Sequence, residues 1–222
     1  MLGEHFELSY CERSDIMRVE TVVIPEHVVT TTYYKFKELS DESKEKVRQW
    51  YLEGRDVETF IWSTEDFLKD LYPNSKLECA FSLNYCQGDH FYIYGKFYIP
   101  DFYDKIKQDS TLNIFTDKEH KFISWMLKEC YPYSEIPYSY KNFISYDNLL
   151  DDIIHDLENG SYKNVKWNVV EKFKNSLLKL IEKDNRMFME DGYEYFYEIS
   201  DEELEESCEA NGYEFYEDGE IA

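Results

Sequence analysis

The sequence predicts an α+β fold: a mainly antiparallel sheet around a central hairpin at about 77–99, four or five flanking helices, and an acidic strand–helix–strand unit at the C-terminal end. Three observations carry that expectation. Residues 77–97 alternate apolar and polar side chains on either side of a Gly-bearing turn, the period of a half-buried strand pair. Five stretches elsewhere repeat apolar residues at i, i+3 and i+4, the stripe of an amphipathic helix. The last 36 residues, Met187 to Ala222, hold no Lys or Arg and fourteen Asp or Glu, interleaved with Tyr and Phe. Aromatics at that density can pack, so this segment reads as a folded acidic surface and not as a disordered tail.

Taken in order, residues 1–36 read as extended. VETVVIPEHVVTTTYYKF is rich in β-branched and aromatic residues and is interrupted by Pro25, which suits two strands or one strand broken at an edge. Ser40 is a helix N-cap followed by Asp41 and Glu42, where the helix dipole favours acids. Val47, Trp50 and Tyr51 form the stripe of that helix, and Gly54 ends it. A short second helix from near Thr64 turns Phe67, Leu68, Leu71 and Tyr72 inward and stops before Pro73. In the hairpin, Leu77, Cys79, Phe81, Leu83 and Tyr85 share one face, and Phe91, Ile93, Gly95 and Phe97 return on it, across a loop of three to five residues.

Thr116 and Glu119 form a capping box, followed by Phe122, Ile123, Met126 and Leu127 on one face. Tyr131 to Tyr140 reads as a packed loop with two prolines. Leu149, Leu150, Ile153, Ile154 and Leu157 form the next stripe, with Gly160 as its stop. The longest helix is expected over about 165–184, burying Val169, Val170, Phe173, Leu177, Leu180 and Ile181. In the acidic segment Tyr193, Tyr195, Tyr197 and Ile199 alternate as in a strand. Ser200 and Glu203 then make a second capping box, Leu204 and Cys208 face inward, Asn211-Gly212 stops the helix, and YEFYEDGEI closes with a strand and an Asp-Gly turn. The domain reading is an α+β body over 1–186 and an acidic unit over 187–222 packed on it, one compact domain overall.

Composition narrows the function classes. At 222 residues and 43% hydrophobic content, one core is feasible, burying roughly 70% of the unfolded chain's surface. The formal net charge is −23; without the fourteen acids of the last segment, residues 1–186 still carry −9. Such a field repels nucleic acid and anionic membranes and draws in basic partners. The five cysteines are scattered without a CxxC pair, so no zinc ribbon or redox motif is indicated. No signal peptide and no apolar run of about 20 residues is found, and a cytoplasmic chain with free thiols is expected.

Catalytic motifs are sparse. Cys86, Asp89 and His90 cluster at the hairpin tip, where a thiol beside an imidazole could act as nucleophile and base in a small hydrolase or nuclease, or Asp and His could ligate a metal. Hairpin turns recruit Gly and Asp for backbone reasons alone, so no catalytic, cofactor or metal residue is assigned. His5, His27, His120 and His155 lack any ligand spacing, and the carboxylates of DNLLDD at 147–152 sit on a helical leucine stripe. The acidic segment is the stronger candidate. Glu190, Asp191, Glu194, Glu198, Asp201, Glu202, Glu205, Glu206 and Glu209 are expected to form a partner-binding surface that occupies a site built for phosphates.

Three stretches, YYKFKELSDESKEKVRQWY, FSLNYCQGDHFYIYGKFY and EANGYEFYEDGEI, resemble acidic accessory proteins of bacteriophages and mobile elements of low-GC bacteria, some of them antitoxin-like. The resemblance spans about a third of the chain, and residues 1–30 extend beyond the usual members. Those proteins travel with anti-CRISPR and anti-restriction proteins that imitate DNA or block nucleic-acid channels, and they offer no agreed catalytic residues. The resemblance implies a viral or mobile-element inhibitor working in the host cytoplasm. Its partner would be a basic nucleic-acid-binding protein or ribonucleoprotein, a CRISPR effector foremost. It implies neither a membrane nor direct contact with nucleic acid. An antitoxin-like binder of one basic partner is the other reading of the same surface.

Overall fold

The computed structural model describes residues 18–24, 27–138, 144–160 and 162–222, and it is α+β. The elements run β1 (Arg18–Ile24), β2 (His27–Tyr33), a 3-10 turn (Phe36–Glu38), α1 (Asp41–Glu53), α2 (Val57–Leu71), β3 (Lys76–Ser82), β4 (His90–Tyr98), α3 (Ile99–Gln108), α4 (Asp117–Glu129), β5 (Tyr133–Ile136), α5 (Asp151–Asn159), α6 (Trp167–Tyr197) and α7 (Asp201–Asn211). The chain divides into two compact units. One joins the two ends of the chain, residues 1–55 and 197–222, and the other is the continuous stretch 56–196. The boundary expected at residue 187 falls inside α6, so the acidic segment is shared between the units. Residues 187–196 are the last turns of α6 in the continuous unit.

In the continuous unit β3, β4 and β5 form an antiparallel sheet in the order β3-β4-β5. The central hairpin is as expected, with Phe91, Ile93 and Phe97 almost fully buried. Its loop is longer than expected: pairing ends at Ser82 and His90, leaving residues 83–89 as the connection. Tyr85 leaves the alternation, with φ of 51° and 62% of its surface exposed. Gly95 lies within β4 at φ 110°, where a Cβ would stand 2.4 Å from the carbonyl oxygen of Lys76 on the neighbouring strand; only glycine meets both demands. Tyr133–Ile136, expected in a loop, pairs with β4 as an edge strand.

The core of this unit gathers α2, α3, α4, α5 and α6 around the sheet. Tyr72 stacks on Phe102 at 3.9 Å, and its hydroxyl donates to Asp184, a carboxylate only 8% exposed. Burial, with Asp184 adding to it, pushes the Tyr72 phenol far above its ordinary value; burial likewise raises the Asp184 carboxyl, with the Tyr72 bond opposing. Helix α2 starts at Val57 and not at Thr64, because the Asp56 side chain caps the Thr59 amide. Leu68 and Tyr72 face inward as expected, while Phe67 is 48% exposed. Helix α3 has no counterpart among the expected elements; Pro100 occupies its first turn, where a missing N–H costs nothing.

Helix α6 overruns its expected end at 184 by three to four turns and reaches Tyr197. The alternation of Tyr193, Tyr195 and Tyr197 that predicted a strand is therefore a helical segment, with Phe188 and Gly192 on its buried side. In the other unit, β1 and β2 pair antiparallel from Arg18↔Tyr33 to Ile24↔His27. Helix α7 has the expected capping box of Ser200 with Glu203. It stops at Gly212 in the left-handed conformation (φ 69°), the usual helix C-terminal signal. Phe36, Leu39, Val47, Leu204, Cys208 and Phe215 form that unit's core. The closing strand shortens to single bridges of Phe215 with Tyr34 and Ile221, around a turn closed by Gly219 N–H to Tyr216.

Candidate functional site

The nine carboxylates expected at the partner surface fall into two sets. Glu190, Asp191 and Glu194 lie on the last turns of α6 in the continuous unit. Glu198 and the α7 residues Asp201, Glu202, Glu205, Glu206 and Glu209 belong to the unit made from the chain ends. All are solvent-exposed except Glu205, which is half-buried. The reason is the helix period. Leu204 and Cys208 anchor α7 to the core, and the stripe opposite carries Glu202, Glu205, Glu206 and Glu209, spaced i, i+3, i+4 and i+7 on one face. At about 1.5 Å of rise per residue these four charges stand about 4.5, 1.5 and 4.5 Å apart along the axis, a dense row of negative charge on one side of the helix.

Not all of these charges are at a partner's disposal. Arg48 of α1 donates to Asp201, and Lys37 lies 3.9 Å from Glu205 and 3.8 Å from Glu209. Glu203 accepts from the Ser200 amide and hydroxyl, which hold its carboxyl below the ordinary value. The two cations come from residues 153 or more positions away in the chain, so the sequence of the acidic segment gave no sign of them. Exposed pairs of this kind contribute little and yield to competitors. Glu202 and Glu206, central on the outer face, are the charges α7 presents most freely. The buried Cys208 thiol is pushed up to about 11 by burial, with Glu205 adding to it, and serves only packing.

The hairpin tip resolves differently. The Asp89 carboxylate accepts from the Asn84 amide at 2.9 Å, the Cys86 amide at 2.9 Å, the Cys86 thiol at 3.1 Å and the Tyr193 hydroxyl at 2.5 Å. Desolvation alone would raise its carboxyl, yet these bonds hold it well below the carboxylate range. Its bond to Tyr193 pushes that phenol up to about 12. Asp89 is thus spent on holding the 83–89 loop and tying it to α6, where Tyr85 stacks on Tyr193 at 4.6 Å. The ring of His90 turns to the Gly88 carbonyl at 2.8 Å. A carboxylate already saturated with donors has little basicity left for proton transfer. Among the described residues no three His, Cys, Asp or Glu stand together as metal ligands, and no helix is long and apolar enough to cross a membrane.

The tip and the α6 carboxylates, two separate candidates in the sequence, are neighbours: Tyr193, which binds Asp89, sits between Asp191 and Glu194 on the same helix. No protein-family model matches the chain, and neither does any curated protein or solved structure at a significant level.

Proposed function

We propose that this protein is a stoichiometric inhibitor that occupies the basic nucleic-acid-binding site of a partner with its exposed helix carboxylates. The observation that carries the reading is the outer face of α7: four carboxylates in one dense row, with the helix held at both ends by caps and along its inner side by Leu204 and Cys208. A pre-ordered array loses less entropy on binding than a flexible acidic tail would, and the net charge of −23 steers a basic partner toward it. The resemblance to phage accessory proteins makes a host defence complex, a CRISPR effector foremost, the expected target.

The test uses the tagged chain and a variant with Glu190, Glu198, Glu202 and Glu206 changed to Lys, all surface positions that leave the internal ion pairs intact. Lysates of CRISPR-bearing bacteria are passed over both, eluted with rising salt, and the captured protein is isolated. The native chain is expected to strip nucleic acid from that partner at a one-to-one ratio, and the variant to do so at least tenfold less well with an unchanged melting temperature. Capture indifferent to both salt and charge reversal overturns the proposal.

A further inference from the structure

On the surface of the continuous unit, α2 and α6 line an open hollow of about 310 Å³. Phe60 stacks on Tyr195 at 5.2 Å at one end, and Phe67 meets Phe188 edge-on at 5.9 Å at the other. Phe60, Ser63, Thr64 and Phe67 follow one another on a face of α2, and Phe188, Asp191 and Tyr195 do so on α6. Between the two ring pairs stand only the short Ser63 and Thr64 and the carboxylate of Asp191. Small residues between bulky ones keep the space open.

The electrostatics of this hollow are one-sided. Ser63 donates its hydroxyl back to the Phe60 carbonyl, and Thr64 is 5% exposed, so neither supplies a counter-charge. The charged neighbour that acts on Asp191 is Glu190, which repels it; partial burial first, then Glu190, raises the Asp191 carboxyl above its ordinary value. A cation placed here would meet a carboxylate without an ion pair among the described residues, together with the rings of Phe67 and Tyr195. The pronounced exposure of Phe67, a residue whose position in the helical stripe called for burial, is accounted for if its ring forms the wall of a binding site.

We propose that this hollow receives one arginine side chain of the basic partner, its guanidinium on Asp191 and its stem between Phe67 and Tyr195. A guanidinium is flat and weakly hydrated, stacks on aromatic faces and pairs with a carboxylate through two N–H groups, which an ammonium does less well. The volume lies at the lower limit of small-molecule pockets, about 300 Å³, and suits a single long side chain. Only the basic character of the partner rests on the function proposed above.

The experiment titrates the isotope-labelled full chain with acetyl-Gly-Arg-Gly-amide and with its lysine and citrulline counterparts, following the Asp191 carboxyl carbon and the Phe67 and Tyr195 ring signals by NMR. The arginine peptide is expected to shift these signals saturably, the lysine peptide to bind severalfold more weakly, and the uncharged citrulline peptide not to bind. Asp191→Asn is expected to weaken arginine binding about tenfold or more, as loss of a charged hydrogen bond implies, and Phe67→Ala severalfold. Both side chains are exposed enough for the fold to survive, which the unperturbed remainder of the spectrum checks. Equal response to lysine or citrulline, or shifts spread over the α7 carboxylates and unchanged in Asp191→Asn, overturns the assignment. In nucleic-acid displacement from the isolated partner, loss by the lysine-reversal variant but not by Asp191→Asn removes this site and leaves the acidic-surface reading intact. Loss by Asp191→Asn alone does the reverse.

Discussion

Tyr72 and Asp184 show what a single buried polar pair demands. Asp184 is 8% exposed, and its cost of burial is offset mainly by the phenolic hydroxyl. Tyr72→Phe keeps the ring stacked on Phe102 but leaves the carboxylate without that donor, so a loss of about 1–3 kcal/mol is expected at pH 7. The pH dependence has a definite sign. The folded carboxyl is raised above its unfolded value near 3.8, so the native state takes up the proton first and the cost of the buried charge shrinks as pH falls toward that value. The Tyr72→Phe deficit, measured by urea unfolding, should therefore be smaller at pH 4.5 than at pH 7; a constant deficit would place its cause in packing. Single residues were unevenly legible in the sequence. The caps at Ser40, Thr116 and Ser200 act through neighbours three positions away and could be read directly. Asp89 looked like chemistry because its partner Tyr193, 104 positions distant, could not be seen.

At the scale of elements, the helices stabilised by local signals were the readable ones. The stripe Val169, Val170, Phe173, Leu177, Leu180 and Ile181 is buried throughout, and Gly160 and Gly212 stop their helices where expected. What failed were elements decided by tertiary contact. The tyrosines of α6 follow a strand period over five residues, and the packing of Phe60 against Tyr195 and Phe196 accompanies the helix that forms instead. The edge strand β5 has only four residues and exists by pairing with β4. Gly95 gives the element scale its sharpest test. Alanine there must hold φ near 110° and displace the Lys76 carbonyl, so Gly95→Ala is expected to destabilise by about 1–3 kcal/mol or more. Denaturation curves would show it; a neutral result would mean that β4 re-registers around the substitution.

For the molecule as a whole, 47 acidic side chains against 24 basic ones make self-repulsion the prevailing long-range force. The described ion pairs, such as Lys183 with Asp109 at 2.7 Å and Lys172 with Glu119 at 3.1 Å, are mostly at the surface and individually weak. Raising ionic strength from about 0.01 to 0.1 M shortens the screening length from ~30 to ~10 Å. The melting temperature at pH 7 should rise by a few degrees, on the order of 2–4 °C per kcal/mol for a chain of this size. A fall with salt would show instead that the pairs outweigh the repulsion.

The division into units has a consequence in time. Phe36, Leu39 and Val47 belong to the same core as Leu204, Cys208 and Phe215, but the whole of the continuous unit is translated between them. At about 5–20 residues per second, a nascent chain carries that half-core uncovered for roughly 7–30 s while residues 56–196 emerge and have time to fold. The acidic helix closes the earlier seam only afterwards, so chaperone engagement during synthesis should concentrate on the N-terminal portion and end when α7 leaves the ribosome.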